Sequence, residues 1–207
     1  MPMCFDYAQP SPALAQRLLG TVLVRTLDDG TILRGRIVET EAYLGIQDRA
    51  SHAHGGRRTA RNESMYARAG TAYVYFTYGM HHCFNVVCGE VDEPTAVLVR
   101  ALEPLEGIER MFAHRAKARK ETDLCSGPGK LCQALAIDRD LDGEDLTTSE
   151  RLSVVCGREG PIDLSRVEKT ARIGVDSAGA WARRRLRWYI RDSPHVRVRS
   201  RVGAKRA

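Results

Sequence analysis

Glu39, Glu41 and Tyr43 alternate with Thr40 and Ala42 in the segment Arg36-Ile-Val-Glu-Thr-Glu-Ala-Tyr43. A two-residue period puts the three on one side of a β-strand. A carboxylate at a strand end beside a long loop is held in place while the loop admits substrate. Glu41 is suited there to act as a general base on water, with Tyr43 or His52 shaping a pocket. A structural salt bridge is an equally available use of either glutamate.

A second concentration is aromatic. In Tyr73-Val-Tyr75-Phe76-Thr-Tyr78, Tyr73 and Tyr75 share one strand face and Phe76 and Tyr78 the other. Such rings either fill both sides of a sheet or line a cleft and stack on a flat ligand such as a base. Gly79 after Tyr78 permits a turn that projects the phenol. His52 and His54 lie two apart in a loop, and His81-His82 are consecutive, so on a strand they face opposite ways. No Cys or His at ligand spacing completes either pair, and no Cys-x-x-Cys occurs, so no metal and no cofactor are expected. Arg57, Arg58, Arg61 and Arg68 flank the aromatic run, but phosphate binding requires them to converge in the fold. Ser126-Gly-Pro-Gly-Lys130 precedes a helix and is able to offer amides to phosphate, without the spacing of a nucleoside-triphosphate loop.

The elements that must position these groups are mixed. A helix is expected from Ser11 to Leu19, capped by Ser11 and closed by Gly20. Strands at 21–27 and 31–39 flank Asp28-Asp-Gly30, a hairpin signal. Residues 44–70 lack periodicity and read as an ordered functional loop within one domain. Strands follow at 71–78, 84–88 and 95–102, helices at 106–120 and 128–136, then strands at 154–155 and 186–190. The result is an α+β class, as one domain over 1–199 with a short basic, flexible extension at 200–207.

Length and charge narrow the function. The 207 residues suit one domain, and no run approaches the roughly 18 apolar residues of a membrane span. The opening residues carry no secretory pattern, so the six cysteines are expected as reduced thiols. The net charge of +6 is uneven: residues 181–207 carry +9 and residues 1–180 carry −3. That excludes a uniformly basic coating protein.

The chain resembles the alkyladenine (3-methyladenine) DNA glycosylases of the vertebrate type. The resemblance rests on Gly35-Arg-Ile-Val-Glu-Thr-Glu-Ala-Tyr-Leu-Gly45, Gly70-Thr-Ala-Tyr-Val-Tyr-Phe-Thr-Tyr-Gly-Met80 and Asn85. It continues through Leu98-Val-Arg100-Ala-Leu-Glu-Pro-Leu105, Leu124-Cys-Ser-Gly-Pro128, Lys130-Leu-Cys-Gln-Ala-Leu135 and Ala171-Arg-Ile-Gly-Val175. These blocks run in order through nearly the whole chain. The resemblance implies a single compact domain with a curved antiparallel sheet surrounded by helices, as in a formyltransferase C-terminal domain. It implies a monofunctional enzyme that flips damaged purines from duplex DNA and hydrolyses the N-glycosidic bond, initiating base excision repair. Alkylated adenine or guanine, hypoxanthine and etheno-adenine are the candidate lesions. A non-catalytic lesion-DNA binding protein of the same fold is the alternative.

By that resemblance Glu41 activates water, with Arg100 and the backbone near His52 holding it. Tyr43, His52 and Tyr75 enclose the base, and Asn85 and Leu98 bound the pocket where a guanine amino group clashes. Tyr78 and Met80 enter the duplex, while Arg57, Arg58, Arg61, Lys130 and Arg184 meet the DNA backbone. No lysine precedes Lys117, so a lysine-based lyase step has no candidate near the pocket. His81 and His82 stand where vertebrate relatives carry aromatic residues. The expected setting is the bacterial cytoplasm or nucleoid, away from membranes. The expected form is a monomer that passes its product to abasic-site enzymes without a stable complex.

Overall fold

Gly30 takes the left-handed φ of +80° that a tight turn asks of a residue without Cβ, and the hairpin expected around it forms. Strand β1 (Val22–Thr26) runs antiparallel to the first half of β2 (Ile32–Tyr43). The computed structural model describes residues 6–77, 79–157 and 162–198. The expectations for Tyr78 and for the 200–207 extension lie outside the described residues.

Strand β2 organises the sheet. On one edge it pairs with β5 (Ala96–Glu106) from Arg34 to Tyr43. On the other edge it changes partner, leaving β1 and taking β8 (Arg187–Ile190) opposite Glu39, Thr40 and Glu41. Strand β8 also pairs with β7 (Val167–Thr170), whose four residues Val-Glu-Lys-Thr carry no readable alternation. With β3 (Ala72–Thr77), β4 (His81–Val87) and β6 (Leu152–Val155), the order is β3-β4-β5-β2-β1-β6, and the pairings are antiparallel.

Two bulges face each other where the site begins. Val38 is the extra residue on β2 between Ile37 and Glu39, and Arg100 is the extra residue on β5 between Ala101 and Val99. A bulge bends its strand and re-aims the side chains beyond it. Ile37 stays in the main core, Val38 joins a separate cluster with Ala101, Tyr189 and Ile190, and Glu39 and Glu41 meet Arg100.

Helices α1 (Ser11–Arg17), α2 (Ile108–His114), α3 (Glu121–Leu124) and α4 (Pro128–Ala134) supply Leu14, Met111, Leu124 and Leu131 to the main core. The molecule is thus an α+β domain with a curved antiparallel sheet flanked by helices. Three details differ from the sequence expectation. Ser11 does not cap α1; Pro10 stands at the N-cap, and the Ser11 hydroxyl donates instead to the Tyr43 carbonyl at 3.1 Å. The 106–120 helix starts only after the left-handed Gly107 and stops at His114, because 103–106 continue β5. Cys156 is disulfide-bonded, which corrects the expectation of six reduced thiols; Cys83, Cys88, Cys125 and Cys132 are free and buried. Segment 44–70 is an ordered loop, as expected, with short 3-10 turns and with Ala53, Met65 and Tyr66 buried against Tyr73.

Candidate active site

The strand period and the bulge deliver Glu39 and Glu41 to the same guanidinium. Arg100 Nε donates to Glu39 Oε1 at 3.0 Å and its Nη1 lies 3.2 Å from Glu41 Oε1. Burial disfavours the Arg100 charge, but Glu41 and Glu39 outweigh it and raise the pKa above the ordinary arginine value. Arg187, opposite Glu41 on β8, adds a 2.6 Å bond from Nε to Glu39 Oε1.

Glu41 is wholly buried. Its Oε1 also accepts the backbone N–H of Ile173 at 2.8 Å, and its Oε2 lies 3.0 Å from Tyr43 Oη. Burial, and then the Glu41 charge, push the Tyr43 pKa well above 10, so the phenol is protonated and donates. A carboxylate offers about four acceptor sites. Three are taken by Ile173, Arg100 and Tyr43, which leaves room for one further donor.

Behind this group lies a cavity of about 300 Å³, at the small end of ligand pockets. Tyr43 and Arg100 line it, whereas Glu41 reaches it only through them. His52 and Tyr75 form one wall, with ring centroids 4.5 Å apart and nearly perpendicular. His52 Nδ1 lies 2.8 Å from the Tyr73 hydroxyl. Burial first, then Arg61 and Arg57, lower the His52 pKa from 6.5 to about 4, so the ring is neutral near pH 7. Asn85 and Leu98 are register partners across β4 and β5 and lie side by side in the wall. Asn85 Nδ2 is tied to the Tyr73 carbonyl at 3.0 Å.

A buried ion pair that no sequence motif marks stands behind Tyr43. Arg172 and Asp48 form an ion pair with both side chains fully buried, Nη1 to Oδ2 at 2.5 Å and Nη2 to Oδ1 at 2.8 Å. Asp48 also accepts the N–H groups of Leu44 and Ala50, and Arg172 donates to the Ala42 carbonyl. The Arg172 guanidinium lies 4.6 Å from the Tyr43 ring centre, within cation–π range. The one available signal was the block Ala171-Arg-Ile-Gly-Val175. Nothing local links it to Asp48, 124 residues away.

The expected backbone contacts divide. Arg61 is at the cavity, 5.4 Å from the Tyr75 ring centre and bonded to the Phe76 carbonyl. Arg57 is exposed. Arg58 is engaged internally, bonded to Glu63 and Asp92 and stacked on Tyr66. Lys130 Nζ donates to Ser126 Oγ at 3.2 Å, and Arg184 stacks on Trp181 at 3.6 Å. Met80, at the β3–β4 turn, is 68% exposed. Among the described residues, no helix is long and apolar enough to cross a membrane.

The family model described as methylpurine-DNA glycosylase (MPG) matches residues 5–194. The chain is similar to the DNA-3-methyladenine glycosylase of Homo sapiens, 50% identical over 206 residues, with 95% of this chain and 67% of that protein covered. The protein of the same name from Mus musculus is 49% identical over 212 residues, covering 97% and 62%. A putative 3-methyladenine DNA glycosylase of Desulfitobacterium hafniense is 44% identical over 200 residues, covering 93% and 96%. The chain therefore spans a little under two thirds of the mouse relative and nearly all of the bacterial one.

Proposed function

The chain belongs to the methylpurine-DNA glycosylase family, and from that premise we propose how its cavity releases a damaged base. The enzyme is a monofunctional DNA glycosylase that excises alkylated purines and so begins base excision repair. The flipped purine occupies the cavity between Tyr43, His52 and Tyr75, where three rings replace the stacking lost in the duplex. Asn85 and Leu98 limit the edge of the base, and tight fit there discriminates between purines that differ by one amino group.

Water that enters between Tyr43 and Arg100 to the remaining acceptor site of Glu41 loses its proton to that carboxylate as its oxygen attacks C1′. The C1′–N bond breaks with its electron pair leaving on the purine. Positive charge grows on the sugar before that proton moves, and the Glu41 carboxylate is already aligned to stabilise it. Alkylation at N3 or N7 makes the purine a good leaving group, so the neutral His52 need not be an acid for those lesions; its role is to hold water and base. Hypoxanthine and etheno-adenine, being neutral, depend more on a hydrogen bond to the leaving base.

One observation carries this reading: a buried carboxylate with three protein donors stands directly behind an aromatic cavity. Glu41→Gln is expected to slow base release by about 10²- to 10⁴-fold while affinity for lesion duplex stays within a few-fold. Equal release by both proteins removes Glu41 from the chemistry, and release by neither leaves the non-catalytic binder. The reading extends to a monomer acting at a bacterial nucleoid. Tyr78 and Met80 then fill the gap left in the duplex, with Arg57, Arg58, Arg61, Lys130 and Arg184 toward the phosphates. Its abasic product passes to separate enzymes.

A further inference from the structure

Two cavities flank the start of β4. Thr77, Cys83 and Pro128 border the base cavity, while Met80, His81, His82 and Gly129 border a second one of about 640 Å³. No lining residue is shared, so the start of β4 and the first turn of α4 form a wall between them. Gly129 belongs to the wall for a steric reason. A Cβ there would come within 3.0 Å of His81, so the glycine lets the imidazole lie against the helix.

The chemistry of the second cavity is cationic. Arg115 and Lys117 line it against one acid, Asp138, whose carboxylate already accepts the Asp140 N–H at 3.0 Å. Among the described residues, Arg115 is held only by neutral acceptors: Nη1 to Gln133 Oε1 at 2.9 Å and Nη2 to the Asp123 carbonyl at 3.2 Å. Its Nε is buried with no partner among the described residues. Lys117 is exposed, and among the described residues no ion pair engages either cation. His81, His82 and His114 also line it. His82 stacks on Phe76 with centroids 5.0 Å apart, and His114 Nδ1 lies 2.9 Å from the Ala134 carbonyl. Fixed guanidinium and mobile ammonium donors around one space suit an anion with several oxygens.

Position selects which anion. On the proposed reading, the flipped nucleotide enters the base cavity on one side of the wall, and exposed Met80 at the β3–β4 turn points to the gap it leaves. The strand that carries the lesion therefore crosses the base cavity, and the strand left behind lies across the wall. We propose that the second cavity binds a backbone phosphate of the strand opposite the lesion, through Arg115 and Lys117 with His81 at its edge. This rests on the base-flipping reading, and it makes the protein a reader of duplex rather than of lesion strand alone.

Lys117→Ala tests it, because an exposed side chain is removed without touching the base cavity. Binding is measured on one abasic-analogue oligonucleotide, as duplex and as single strand, over a salt series. Duplex affinity is expected to fall about three- to tenfold, and the slope of log K against log salt to flatten by about one. Single-strand affinity is expected to be unchanged. Equal loss on both forms assigns the phosphate to the lesion strand and overturns the proposal, as does no loss on either. His81→Ala, giving a smaller loss in the same duplex-only pattern, supports it; a loss on single strand contradicts it. Base release by the wild type is assayed in parallel, so a failure of the glycosylase reading shows there and not in the duplex-to-single-strand comparison.

Discussion

His52 shows how a single side chain is tuned by its surroundings. Buried beside Arg61 and Arg57, it keeps a pKa near 4 against an ordinary 6.5. Between those values the unfolded chain binds a proton that the folded one refuses, so stability rises with pH. The contribution is fully present above about pH 6.5 and is lost progressively as pH falls toward 4, by up to about 3 kcal/mol. Thermal melts from pH 7.5 to 4.5 are expected to fall more steeply for the wild type than for His52→Gln. Parallel curves assign the acid sensitivity elsewhere. The residue's role in the site was legible in part: its place in a loop beside strand ends marked it, but not the tyrosine that holds it. Tyr73 meets His52 across 21 residues, in a loop without period, and only the closed cavity pairs them.

At the scale of elements, the site depends on two segments being pinned together. Asp48 belongs to the loop after β2, and Arg172 to the segment after β7 that also supplies the Ile173 N–H to Glu41. Their buried ion pair therefore fixes the back of Tyr43 and the donor of Glu41 at once. Asp48→Asn leaves Arg172 buried without its counter-charge and is expected to cost about 3–5 kcal/mol of stability. Excision is expected to slow in the protein that remains folded, with lesion affinity less affected. Urea melts and single-turnover rates separate the two effects, and an unchanged single-turnover rate in folded Asp48→Asn removes the pair from the site. Strands β1 to β5 were readable because alternation, short apolar runs and glycine turns are local. Strand β7 was not, since four mixed residues hold no period and their pairing with β8 comes from distant chain.

Across the whole molecule, charge and fold divide the work. The +9 of residues 181–207 opposes the −3 of the rest, and part of it lies in β8, where Arg187 is buried against Glu39. That arginine serves the interior and not DNA. Deleting residues 200–207, which hold Arg201, Lys205 and Arg206, is expected to weaken binding to all duplexes equally and to flatten the salt slope. Competition binding with lesion and undamaged duplex measures this, and a loss confined to one lesion contradicts it. By itself the sequence determined the hairpin, the shared side of Glu39, Glu41 and Tyr43, and the shared face of Tyr73 and Tyr75, because a two-residue period fixes side-chain direction locally. Only the tertiary structure decided that Glu41 is wholly buried, that facing bulges bring Arg100 between two carboxylates, and that Arg172 backs the Tyr43 ring. Those outcomes rest on bonds such as Glu39–Arg100 and Glu41–Ile173, 61 and 132 positions apart. No local pattern encodes contacts at that separation; they exist only when the sheet closes and buried charges must find partners.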